Sequence, residues 1–274
     1  MNRLLRRLAA ILATALALPA SASTLTPHYT DLWYLPSESG WGVNIIQQYD
    51  TMFVTLFVYG NDNQPHWYVA SSVRTVGASK TQFTGQLYTT VGNAPTVPWS
   101  PSAHSFTAVG TISFNFNTVT SGTMTYTLNG VTVTKTIQRQ TWAGNILTGN
   151  YLGGLTAQGS NCQNGVSNGP ILIFNELTIN HSNFFLPTFR VDFTAGNGTD
   201  AICTFSGPYS QEGRLGSIVN GTWSCQIPNV NNPPTGTFSL TQIEATMNGV
   251  TGKFTGQDQN CTYNGFFGGV KDVL

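Results

Sequence analysis

Met124-Thr125-Tyr126-Thr127-Leu128-Asn129-Gly130-Val131-Thr132-Val133 places a turn dipeptide between two alternating runs. Met124, Tyr126 and Leu128 alternate with threonines, and the alternation resumes after Asn129-Gly130 at Val131, Val133 and Ile137. A period of two is the strand period, because successive side chains of an extended chain point to opposite faces. Asn-Gly between two such runs predicts a tight hairpin, since a type I′ turn needs positive φ at both central residues.

Outward from this hairpin the pattern repeats. Phe106, Ala108, Gly110, Ile112, Phe114 and Phe116 share one parity. Met52, Val54, Leu56 and Val58 share another, opposite Phe53, Phe57 and Tyr59. Trp67 and Val69 lie opposite His66, Tyr68 and Ala70. Turn residues at Tyr49-Asp50 and over 60–64 separate these runs. The prolines of 93–101 forbid a central strand there and predict a surface loop carrying Trp99. About seven or eight strands joined by short turns between Trp41 and Gln140 suit an up-and-down meander that curls into a barrel.

Beyond Leu147 the strand candidates are 170–179, 189–193, 201–206, 213–218, 222–227, 236–241, 243–248 and 250–255, with a final segment through Tyr263 and Phe267. Asn220-Gly221 and Asn248-Gly249 predict two further hairpins. The expected architecture is all-β, in two antiparallel meander or barrel-like halves covering 30–142 and 147–274. No segment shows a helical stripe.

The N-terminus has the pattern of an export signal: Arg3, Arg6 and Arg7, an apolar run over 8–18, then Ala20-Ser21-Ala22. Its expected removal after residue 22 takes three of the 11 Lys+Arg and none of the 11 Asp+Glu, leaving a net charge near −3. An acidic balance argues against nucleic acid as a partner and gives no basic surface for a membrane. Thr on both strand faces and the cysteines tell against an outer-membrane barrel. Charged residues are only 8% of the chain, but 16 Phe, 10 Tyr and 6 Trp supply ample apolar surface for a core. The expected location is secreted or periplasmic.

All four cysteines lie in the second half, an even count that reads as disulfides in an exported chain. Cys162 follows the first strand of that half and Cys261 precedes its last, so a Cys162–Cys261 bridge would tie first strand to last. Cys203 and Cys225 flank a nearer, hairpin-like region and form the second expected pair. No Cys-x-x-Cys or His-x-x-x-His spacing is present, so neither a metal nor another cofactor is expected.

The string Trp33-Tyr34-Leu35-Pro36-Ser37-Glu38-Ser39-Gly40-Trp41-Gly42, with Gln47-Gln48, Phe53, Phe57, Trp67, Gly85, Asn129-Gly130 and Arg139-Gln140, resembles a β-domain module of exported proteobacterial proteins. The resemblance covers about residues 29–142. The cysteine-bearing half, with Gly149, Tyr151, Gly153-Gly154 and Gln211-x-Gly213-Arg214, is similar to a companion domain of that module. This resemblance implies export and β architecture and supplies no activity.

Ser39 is the one serine in a nucleophile-like setting, but Pro36 and the absence of a strand–turn–helix context favour a tight turn. Asp192, Glu176, Glu212 and Glu244 are the carboxylates from which a glycosidase pair would have to come. Gln211-Glu212-Gly213-Arg214 reads as a turn with Arg214 anchoring neighbouring carbonyls. Lys135 and Arg139 share the parity of Val131, Val133 and Ile137, which puts two cations on the apolar face, where charge must be paired. Glu38 and Asp31 are the expected acceptors, because closure brings the first strand beside the last. The alternative is an anion- or sugar-binding cluster in the barrel mouth. Trp33, Trp41, Trp67 and Trp99 could pack in the core or stack on a ligand. The residues expected to bind are therefore Trp33, Glu38, Trp41, Trp67, Trp99, Lys135 and Arg139. The expected function is an exported, non-catalytic binding or interaction module for a glycan, a cell-surface component or a small apolar molecule. The alternative is a secreted hydrolase acting on an external polymer.

Overall fold

The computed structural model describes residues 27–182, 185–195 and 198–272. The export segment expected at 1–22 lies outside the described residues. Eight strands build the first half: β1 (Asp31–Tyr34), β2 (Gly42–Gln48), β3 (Thr51–Tyr59), β4 (Pro65–Thr75), β5 (Gln82–Val91), β6 (Ser105–Phe116), β7 (Ser121–Leu128) and β8 (Val131–Arg139). Each pairs antiparallel with the next, and β8 returns to β1 through Trp33↔Arg139 and Tyr34↔Gln138, closing a barrel. Asn129 (φ 49°) and Gly130 (φ 84°) both take the left-handed conformation that the β7–β8 hairpin requires.

The inward parity supplies the core. Trp33, Val43, Ile45, Met52, Val54, Leu56, Phe83, Leu87, Ile112 and Met124 are fully buried. Tyr29 stacks on Phe116 with centroids 3.7 Å apart, and Phe83 meets both edge-on. The parity of β6 does not hold to its start. A bulge between Leu87 and Tyr88 in the β5–β6 pairing turns the strand, so Ile112, Phe114 and Phe116 face inward while Phe106 is exposed and packs on Tyr88 outside the core. The 93–101 segment is a loop, followed by a single 3-10 turn at Pro101–Ala103.

The second half contains β9 (Gly149–Ser160), β10 (Gly169–Asn180), β11 (Thr188–Thr194), β12 (Asp200–Ser206), β13 (Tyr209–Glu212), β14 (Leu215–Gln226), β15 (Thr235–Ala245), β16 (Gly249–Gln257) and β17 (Thr262–Lys271). The order is again a meander, with β12 paired to β14 and the last strand β17 paired to the first, β9. Eight strands close this ring, and β13 extends the free end of β14 as an arm. Cys162–Cys261 bridges the ends of β9 and β17, and Cys203–Cys225 joins directly opposed residues of β12 and β14. The two pairings are those expected from the sequence.

Two expectations fail here for one reason. Asn220-Gly221 is no hairpin: residues 213–218 and 222–227 fall largely on one strand, β14, and Asn220 (φ 59°) sits at a register shift. Likewise 236–241 and 243–248 merge into β15, with Gln242 (φ 54°) in the bulge. At both places a single left-handed residue forms a bulge inside the strand, and Gly221 and Ile243 resume ladder pairing beyond it instead of completing a turn. The bulge at Asn220 lets β14 change partner from β13 to β12.

Candidate functional site

The residues singled out from the sequence separate into four places. Trp33 is core. Its indole Nε1 donates to the Tyr29 carbonyl (2.9 Å), and its ring lies 4.9 Å beneath the Arg139 guanidinium. Arg139, also buried, donates to Asp31 Oδ2 (2.9 Å), the Thr30 carbonyl (3.0 Å), the Val119 carbonyl (2.7 Å) and the His28 carbonyl. Burial pulls the guanidinium pKa down and Asp31 opposes that pull. Every acceptor belongs to the chain, so Arg139 is committed to closing the barrel across β1 and β8.

Lys135 lies on the same parity but nearer the open mouth. Its Nζ donates to Glu38 Oε2 (2.7 Å), which also accepts from Trp41 Nε1 (3.1 Å), and the ammonium stands 5.9 Å from the Trp41 ring centroid. The hydrogen bond from Lys135, then that from Trp41, holds the Glu38 carboxyl below its usual range. Glu38 is exposed and Lys135 only half-buried, so the expectation that both cations lie on the buried face is corrected: of the two expected acceptors Asp31 serves the buried Arg139 at the seam, and Glu38 serves Lys135 in a rim contact. Trp67 sits on the outer wall of β4 and Trp99 projects from the proline loop, 73% exposed. The seven residues do not converge.

A different concavity lies on the outer wall of the second barrel, beside the first. Cross-strand register aligns two rows of side chains there. One row reads Leu172, Thr156, Phe266, Lys253 across β10, β9, β17 and β16; the other reads Phe174, Gly154, Gly268, Thr251, Glu244 and reaches β15. The second row carries no side chain at its centre. A Cβ on Gly154 would stand 2.0 Å from the Ile173 carbonyl oxygen, so β9 and β10 approach too closely for any other residue. The result is a groove of about 870 Å³, walled by Leu172, Phe174 and Phe266 and closed at one end by Glu244, Arg214 and His28.

Arg214 reaches the groove because the β13–β14 turn docks on the barrel seam of the first half. Gly213 (φ 60°) donates its N–H to Thr141 Oγ1 (2.7 Å), and the Arg214 N–H donates to Asp31 Oδ2 (3.2 Å). A Cβ on Gly213 would lie 2.5 Å from that same Oδ2. Gln211 Nε2 donates to the Ala143 carbonyl, and Asn145 of the connecting segment is held by Gln211 and the Arg214 carbonyl. The expected turn at 211–214 is present, but the Arg214 side chain serves Glu244 (3.0 Å) and His28 Nδ1 (2.7 Å) rather than carbonyls.

The polar end of the groove has unmet donors. Arg214 Nε is buried and has no hydrogen-bond partner among the described residues. Lys253 is half-buried and, among the described residues, makes no ion pair or hydrogen bond. His28 accepts from Arg214 at Nδ1, and burial, followed by the Arg214 charge, lowers its pKa, so it is neutral at pH 7. Lys253 and Arg214 against Glu244 leave the groove one positive charge in a chain whose remaining balance is acidic. Sequence reasoning missed this site. Its only linear traces are the glycine pairs at 153–154 and 268–269 inside strands, a known sign of close approach.

The other carboxylates are apart from it. Glu176 and Asp192 are cross-strand neighbours on β10 and β11, with Asp192 held by both Arg190 Nε (2.8 Å) and Nη2 (2.7 Å). Ser39 lies in the exposed turn before β2. Among the described residues no group of three or more His, Cys, Asp or Glu is placed to hold a metal ion. Comparison with known protein families, with curated proteins and with solved structures finds no match.

Proposed function

We propose that the chain is an exported, non-catalytic binding module whose site is the outer groove of the second barrel. Its ligand is an amphipathic anion with a flat apolar body. The observation that carries this reading is the unpaired Lys253 ammonium beside an apolar wall. Lys253 and Phe266 are cross-strand neighbours, and the glycine dent at Gly154 and Gly268 lies between Phe174 and Thr251. A ligand ring over the dent would bury Leu172, Phe174 and Phe266, which are otherwise 69%, 50% and 48% exposed. Its anionic group would meet Lys253, and apolar walls strengthen such a charge-assisted contact relative to open water. Two disulfides fit the oxidising, non-cytoplasmic setting that export implies.

Calorimetric titration with naphthalene-2-carboxylate and with naphthalene-2-methanol tests the reading. The carboxylate should bind more tightly. Lys253→Met should weaken it about tenfold or more, as loss of a hydrogen bond to a charged group does, while sparing the alcohol. Phe174→Ala should weaken both. Equal affinity of the native chain for the two probes, or indifference to Lys253→Met, would remove the groove as the anion site.

A further inference from the structure

The Ser37–Gly42 turn is the most distinctive stretch of the first barrel, and barrel closure leaves it without a task. The turns at 35–41, 60–64, 92–104 and 129–130 gather at the end of that barrel opposite its junction with the second. Two glycines of the first turn make way for aromatic rings. A Cβ on Gly40 (φ 108°) would stand 3.0 Å from the Tyr59 ring, and one on Gly42 would stand 2.5 Å from the Phe57 ring. Between them Trp41 packs on the edge of the core at the open mouth, and its Nε1 donates to Glu38, three residues back. Glu38 in turn accepts from Lys135, 97 residues on. An ion pair this exposed contributes little to stability, so the fold does not account for the arrangement.

Polar atoms at this mouth are free and reachable. Glu38 uses only Oε2, which accepts from both Lys135 and Trp41, so Oε1 is open. Lys135 Nζ makes one hydrogen bond and keeps two further N–H groups. Tyr68 on β4 and Tyr126 on β7 are half-buried and, like Trp41, pack on the edge of the core. Burial raises the Tyr126 pKa, Lys135 lowers it, and Glu38 and Tyr68 raise it, so these groups share one place. Neither tyrosine hydroxyl has a hydrogen-bond partner among the described residues, and neither is sealed from solvent. Glu38 balances Lys135, and Asp62 faces His66 on the same rim, so the mouth offers no net positive charge to an anion.

We propose that the mouth of the first barrel is a second binding site, for one neutral sugar ring of a glycan, held by Glu38, Lys135, Tyr68 and Tyr126 beside the Trp41 indole. A sugar hydroxyl both donates and accepts. One donates to Glu38 Oε1 while its neighbour accepts from Lys135, and the tyrosine hydroxyls serve either role. The C–H face of the ring covers the part-exposed indole, a side chain suited to a contact that is apolar on one side and wet on the other. Carboxylate, ammonium and indole are already joined before the ligand arrives, which spares the cost of ordering them on binding. This site lies on the other barrel from the outer groove and does not depend on it.

The test titrates the full chain with the methyl glycosides of glucose, galactose, mannose and N-acetylglucosamine, and with methyl glucuronide as the charged counterpart. The Trp41 indole N–H resonance, assigned by its loss in Trp41→Phe, is followed in ¹⁵N spectra, because its acceptor is the carboxylate that the sugar engages. At least one neutral glycoside should move that resonance saturably. Glu38→Gln and Lys135→Met should each weaken it about tenfold or more, the range for a hydrogen bond to a charged group, and Tyr126→Phe about two- to tenfold, the range for a neutral one. Urea midpoints of Glu38→Gln and Lys135→Met should match that of the native chain, so that the loss is of contact and not of fold. Lys253→Met should leave the affinity unchanged. No saturable shift with any neutral glycoside would overturn the proposal. So would native affinity in both Glu38→Gln and Lys135→Met, or tighter binding of the glucuronide than of every neutral glycoside, which would mean that the mouth reads charge. The native-chain titrations decide the matter even if a variant does not fold.

Discussion

Replacing Arg139 with Met tests what holds the first barrel shut. The guanidinium is fully buried and donates to Asp31 and to the Thr30, Val119 and His28 carbonyls, so a thioether of similar length leaves one buried carboxylate and three carbonyls without their donor. Asp31 keeps only the Arg214 N–H at 3.2 Å and a bond from the Leu32 N–H. Breaking a buried pair by removing one partner costs about 3–5 kcal/mol. With a urea m-value of about 2 kcal/mol/M, the unfolding midpoint of the first half should fall by about 2 M at unchanged m. Glu38→Ala is the control: its carboxylate is exposed and its partner Lys135 can turn to solvent, so the midpoint should not move measurably. Urea titration followed by tryptophan fluorescence, to which the buried Trp33 contributes beside Arg139, reads both. A midpoint shift below about 0.5 M for Arg139→Met, or a shift for Glu38→Ala as large as that for Arg139→Met, would refute the assignment of the seam to Arg139–Asp31.

The two disulfides should differ in worth. Cys162–Cys261 spans 99 residues and Cys203–Cys225 spans 22, so chain entropy assigns them about 4.7 and 3 kcal/mol, and paired Cys→Ser variants should show the larger loss in urea stability for the first. Gly213→Val should undock the β13–β14 turn from Asp31 and expose the 140–148 connection, read as faster cleavage there in limited proteolysis while both barrels keep their far-UV spectrum. His28 should make the junction sensitive to acid. Its folded pKa is depressed, so below the unfolded value of about 6.5 the native state binds fewer protons than the unfolded chain. Stability should therefore fall as pH drops through about 6.5 and level off below the depressed pKa, and His28→Gln should flatten that part of the curve in urea melts between pH 7.5 and 5.

The all-β class, the β7–β8 hairpin and the favoured disulfide pairing were legible in the sequence. These features rest on simple rules: a period of two that strands satisfy, a dipeptide that favours a tight hairpin turn, and four cysteines whose places along a closed meander favour one of three pairings. Parity even put Arg139 inside and named Asp31 among its acceptors. Tertiary structure decided the rest. Asn220-Gly221 carries the same letters as Asn129-Gly130, yet only the latter reverses the chain, because β15 pairs with β14 on both sides of the Asn220 bulge while the other edge passes from β13 to β12. The groove is assembled from five strands brought into register from 154 to 268, and its essential positions are glycines, which leave no periodic trace. Whether Lys253 is paired depends on what the closed sheet brings beside it rather than on its neighbours along the chain. A strand's own sequence sets which face each side chain takes; the closure of the sheet sets what that face meets.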